Sequence, residues 1–129
     1  MTQRWRDWLA QSEHDFEQAV ASQRDGRHDW ACFAAHQAGE KAVKALHLAQ
    51  DQEAWGHVIS RLLSQLSPAP PADLIDQARI LDNYYVPARY PNGHVEGPAF
   101  EHYGSLQSSK AVSHARNLLD FVHKTLAGG

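Results

Sequence analysis

The sequence predicts an all-α protein, an antiparallel up-and-down bundle of four long helices plus one short helix, formed by residues 1–129 as a single domain. Three observations predict it. Apolar residues recur every three or four positions over several long stretches, the period of an amphipathic helix. No segment alternates apolar and polar residues for long enough to make a strand, and there is no internal repeat. Proline, glycine and asparagine gather between the periodic stretches, where they interrupt helices. With 43% hydrophobic and 21% charged residues among 129, the chain has an ordinary globular composition and is long enough to bury one core.

The first helix carries Trp5, Trp8, Leu9, Phe16, Ala19 and Val20 on one stripe, with Arg6, Glu13 and Glu17 off it. Arg24-Asp25-Gly26-Arg27 interrupts the pattern, and Asp29 is placed to cap the next helix. The second helix, Trp30 to Ala49, aligns Ala34, Ala38, Ala42, Ala45 and Ala49, a face that lets a neighbour approach closely. Its other side carries His36, Gln37, Glu40, Lys41, Lys44 and His47, and Glu40 stands four residues before Lys44, the orientation that favours an ion pair. That side reads either as a solvated face with one ion pair or as a polar rim turned toward a ligand.

Gly56 closes the next connection, and His57 to Leu66 forms a short helix with Ile59, Leu62, Leu63 and Leu66 on one side. Ser67 to Pro71 is a stiff link, with Pro71 suited to opening a helix. Leu74, Ala78, Leu81 and Tyr85 then succeed one another at helical intervals until Pro87 stops the fourth helix. After Gly104 the last helix aligns Ala111, Ala115, Leu118, Val122 and Leu126.

The formal charge of -3 argues against a broad basic surface, so any contact with nucleic acid must be local or shared between subunits. Cys32 is the only cysteine and can form no intrachain disulfide. With neither a secretory leader nor a bilayer-length apolar run, the expectation is a cytoplasmic protein with no membrane association. The nine histidines are scattered without the spacing of a zinc site, so no metal and no cofactor is expected.

One connection is long: 16 residues lie between Pro87 and Gly104, and a loop of that length in a compact domain is commonly functional. Tyr90-Pro91-Asn92-Gly93 has the composition of a tight turn. Such a turn would bring Arg89 and His94 to one side. A guanidinium grips phosphate in a bidentate manner, and an imidazole exchanges protons near neutral pH. The pair suits metal-free phosphodiester chemistry, His94 moving a proton and Arg89 stabilising charge on the phosphate. Asp82, Tyr84, Tyr85 and Tyr90 would supply a stacking and hydrogen-bonding wall for a base. The plainer alternative has Arg89 paired with Asp82 or another acid, His94 merely exposed, and the tyrosines plugging the end of the bundle.

Trp30 to Leu46, with Gln37-Ala38-Gly39-Glu40-Lys41-Ala42 inside it, then Gly56-His57, then Leu81 to Pro91 with Tyr85-Val86-Pro87-Ala88-Arg89-Tyr90-Pro91, closely resemble the HEPN family, the higher eukaryote and prokaryote nucleotide-binding domain. The likeness spans nearly the whole chain. It implies a helical bundle, a homodimer, and binding of nucleotide or RNA; the candidate contacts read from the residues themselves are Lys41, Lys44, Asp82, Tyr84, Tyr85, Arg89 and Tyr90. It also implies a minimal nucleotidyltransferase as partner, in pairs that look like toxin and antitoxin. Many members are metal-independent ribonucleases whose motif is an arginine followed a few residues later by a histidine, two copies meeting across a dimer. Arg89 and His94 fit that spacing, although Glu96 stands where one variant of the motif has a tyrosine. A binding module, a ribonuclease and a purely structural protein assembling through its alanine-rich helix thus remain open.

Overall fold

The protein, described from a computed structural model over residues 4–128, is all-helical among the described residues. The helices are α1 (Arg4–Arg24), α2 (His28–Ala49), α3 (Ile59–Ser64), α4 (Ala72–Asp82) and α5 (Ser105–Gly128). Two short 3₁₀ turns, Pro91–Gly93 and Ala99–His102, lie between α4 and α5. Four long helices and one short one form the expected bundle. The long loop is less irregular than its composition implies, because Pro91 and Pro98 each preset the backbone for a turn of 3₁₀ helix.

α1 and α2 form a hairpin turned by Gly26, which takes φ +78°. The Gly26 amide donates to the Gln23 carbonyl (3.1 Å) and that of Arg27 to Ser22 (2.8 Å), closing α1 with two of its otherwise orphaned carbonyls satisfied. The N-cap of α2 is Arg27 rather than Asp29, which lies inside the first turn and acts there through the helix dipole. α2 is the axis of the molecule and touches each of the other four helices. Ala31, Ala35, Ala38, Ala42 and Ala45 are fully buried. The small side chains let α1 come close enough for Ser12 to donate its hydroxyl to the Ala38 carbonyl at 2.8 Å. At Gly39 an added Cβ would stand 2.9 Å from Leu118 Cδ1 and 3.2 Å from Ile59 Cδ1, so α5 and α3 both close on this point. Leu46, Leu62, Leu63, Leu81 and Leu118 complete the core, each worth roughly 1.5–3 kcal/mol on burial.

The solvated-face reading of α2 is overturned. His36, Glu40, Lys44 and His47 are all buried, because α1 covers one flank of α2 and the 50–58 segment with α3 covers another. Among the described residues no buried side-chain polar atom is left without a partner. His47, for example, donates from Nε2 to the Leu62 carbonyl at 2.7 Å, tying α2 to α3.

Helix ends also differ from expectation: α2 begins at His28 rather than Trp30, and α3 ends at Ser64 rather than Leu66. α3 starts at Ile59, since Asp82 accepts from its backbone amide at 2.6 Å and from the Ser60 hydroxyl at 2.6 Å, leaving His57 in the bend before the helix. α4 stops at Asp82 rather than Tyr85. The Asn83 and Tyr84 amides bond three residues back, to Ile80 and Leu81, and Val86 is held out of helix by the following proline.

Burial raises the Cys32 thiol from 9.0 to about 12, with the Asp29 charge adding to it. It raises Tyr103 from 10.0 to about 12 and pushes Tyr84 upward. A group whose folded value lies above its unfolded one contributes stability below the unfolded value and loses it as pH rises toward the folded one. The denaturant midpoint is therefore expected to fall progressively between pH 9 and 12, the range the shifted thiol spans, and a midpoint flat across that range would refute the assignment. His114 has the opposite sign: burial, chiefly, lowers it below 6.5, so its contribution is lost on acidification.

Candidate anion-binding site

The buried polar face of α2 continues into a chain of side chains that reaches the surface beside the α4–α5 connection. It begins at Glu40, whose carboxylate accepts from Lys44 Nζ at 2.8 Å. Glu40 also faces His57 Nδ1, at 3.1 Å from Oε1 and 3.2 Å from Oε2. A carboxylate buried with an ammonium and an imidazole around it is one whose desolvation is offset by partners on both oxygens. His36 lies beneath, its Nε2 donating to the His57 carbonyl at 2.9 Å and so fixing that backbone.

His57 is half-exposed, its side chain 52% accessible. Its ring stacks on Tyr85 with centroids 4.3 Å apart and planes 16° apart, and Nε2 stands 3.2 Å from the Tyr85 hydroxyl. On the same tyrosine lies Arg89, Cζ 4.8 Å from the ring centroid, with the Phe33 ring at 4.4 Å and the Tyr90 ring at 5.1 Å. Three aromatic rings around one guanidinium hold it by cation–π attraction and restrict its freedom. Its one hydrogen bond among the described residues runs from Nε to the Tyr85 carbonyl at 2.9 Å. No carboxylate among those residues pairs with it. The terminal nitrogens are thus oriented but not neutralised, the condition in which an arginine takes an oxyanion. Phe33 also lines a cleft of about 450 Å³ between α1 and α2, together with Trp30, Arg27 and Asp15; Arg89 is not among its lining residues.

The structure gathers Tyr85, Arg89 and Tyr90 of the residues expected to bind, and connects Lys44 to them through Glu40 and His57. It sends the others elsewhere. Lys41 pairs with Asp15 on α1. Asp82 is engaged as the cap of α3, so it is not the partner of Arg89. Tyr84 is buried edge-on against Tyr103, with centroids 5.8 Å apart. His94 is half-buried: its Nε2 donates to the Pro87 carbonyl at 2.7 Å, and its ring stacks on His102 at 4.1 Å. Arg89 and His94 are therefore both anchored to carbonyls of the short 85–87 stretch but share no hydrogen bond.

His57 does not stand out as a site residue from sequence reasoning. A signal is nonetheless present in the alanine-rich α2: His36, Glu40, Lys41, Lys44 and His47, on one side of a helix apolar enough to be central, require partners from outside it. Among the described residues no group of three metal-ligating side chains is assembled, and no helix is long and apolar enough to cross a membrane.

A central small-residue helix packed against three other long helices is an all-α bundle shared with solved structures. The HEPN domain model matches residues 5–125, and the chain belongs to that family. It is similar to TT1696 from Thermus thermophilus, 46% identical, with a TM-score of 0.92 over 95% of this chain and 98% of that one. It is similar also to ST0689, described as an archaeal HEPN homologue, at 37% identity and a TM-score of 0.84 over 96% and 98% of the two chains. A HEPN domain protein of Thermotoga maritima, TM0613, matches at 26% identity and a TM-score of 0.74, over 94% and 98%. No curated protein matches the chain.

Proposed function

We propose that this HEPN-domain protein binds the phosphate of a nucleotide or RNA at Arg89, acting as a homodimer beside a minimal nucleotidyltransferase in a toxin–antitoxin-like pair. The observation that carries the reading is the un-neutralised guanidinium held by Phe33, Tyr85 and Tyr90. The exposed Tyr90 ring and the half-buried Tyr85 ring beside Arg89 offer a stacking surface for a base. The overall charge of -3 fits a local contact or one shared across a dimer rather than a broad electrostatic footprint. A cytoplasmic setting, expected from the lone Cys32, suits such a partner and ligand.

A second reading, a metal-independent endoribonuclease using Arg89 and His94 in a composite dimer site, draws support from the anchoring of both side chains to the same 85–87 backbone. Purified protein incubated with single-stranded RNA in chelator separates the two. Binding without cleavage, lost in Arg89→Ala, is the expected result. Cleavage lost in both Arg89→Ala and His94→Ala establishes the nuclease instead. Light scattering of the purified protein reads the dimer, and a wild type that neither binds nor cleaves RNA or nucleotide removes both readings.

A further inference from the structure

We propose that His57 is a second anion ligand of the Arg89 site, effective only as the imidazolium, so that a phosphate dianion is bound together with a proton. The proposal rests on the Arg89 reading and deepens it by naming a terminal phosphate, a phosphomonoester, as the class of group bound.

The donors and acceptors around His57 dictate its two states. Glu40 accepts from Lys44 at 2.8 Å and lies within 3.1 and 3.2 Å of His57 Nδ1. Opposite a carboxylate already serving an ammonium, Nδ1 must carry its proton. In neutral His57 the lone pair therefore sits on Nε2, and the Tyr85 hydroxyl at 3.2 Å is its donor. In that state the site is closed on itself, with the tyrosine proton consumed internally. A proton on Nε2 changes the arrangement: Nε2–H and the Tyr85 O–H are then two donors with only the Tyr85 oxygen to accept between them, so one donor is left for an outside acceptor. Arg89, 4.8 Å from the same tyrosine ring and with its terminal nitrogens unbonded among the described residues, supplies the other charge.

Every charged or titratable neighbour is accounted for. From α2, Glu40 and Lys44 neutralise each other, and His36 donates to the His57 carbonyl. From the end of α4, Asp82 is spent on the amides and hydroxyl that start α3. From the segment after α4 come Tyr85 and Arg89. Imidazolium and guanidinium together then present two positive charges, which a phosphomonoester dianion matches and an internal diester, with its single charge, does not.

The test uses two probes on the whole protein. Inorganic sulfate has a constant charge between about pH 6 and 8 and isolates protonation of the protein; adenosine 5′-phosphate reports the Arg89 reading. In NMR titrations, sulfate affinity of the wild type is expected to rise about tenfold from the upper to the lower pH, the worth of one charged hydrogen bond. In His57→Gln, whose substituted side chain is half-exposed and whose backbone carbonyl still receives His36, affinity is expected to be flat with pH. The same slope in wild type and His57→Gln overturns the proposal while leaving Arg89 binding intact. Adenosine 5′-phosphate affinity unchanged in Arg89→Ala overturns the reading beneath it, and the proposal with it.

Discussion

Glu40→Ala is expected to lower stability by about 3–5 kcal/mol in urea unfolding, since removing one partner of a buried pair strands the other charge in a desolvated place. Glu40 is 4% exposed and Lys44 9% exposed, so the ammonium that remained would lose its paired carboxylate in a largely desolvated place. Glu40 also holds the half-exposed His57, whose stack on Tyr85 would loosen. A double variant distinguishes charge stranding from loss of packing. Glu40→Leu with Lys44→Met replaces the pair by apolar side chains of similar length, and is expected to recover most of the loss. A double variant as unstable as Glu40→Ala would show that shape, not charge, holds this part of α2.

Arg89→Ala is expected to weaken binding of a nucleotide phosphate by roughly a hundredfold, since a bidentate charged hydrogen bond contributes about 1.5–3 kcal/mol and each 1.4 kcal/mol is a tenfold change. Its effect on folding is expected to be small, under about 1 kcal/mol: Arg89 is only half-buried, and no ion pair among the described residues is broken. The contrast between large binding loss and small stability loss is what separates a ligand-holding arginine from a structural one. Arg89→Lys retains the charge but loses the planar fork and most of its hold on Phe33, Tyr85 and Tyr90, and is expected to recover only a minor part of the affinity. Full recovery by lysine would mean that a point charge suffices and the aromatic cage is incidental.

The helical period alone was enough to locate all five helices, the small-residue stripe of α2 and the link that opens α4, because each depends only on residues a turn or two apart. The segment carrying Arg89 was legible for the same reason: prolines, asparagine and glycine end one helix and announce a turn before the next begins. What tertiary structure decided was the number of neighbours around each helix. Periodicity assigns Glu40, Lys44 and His47 to a polar side of α2, but it cannot say that the 50–58 segment folds over that side and buries it. Pairings between distant residues lay equally out of reach. Asp82 belongs to the start of α3, Tyr84 to the core against Tyr103, and His57 to Glu40 and Tyr85. A charged side chain's role is set by what the fold brings to it from far along the chain, whereas a helix is set by its own few turns.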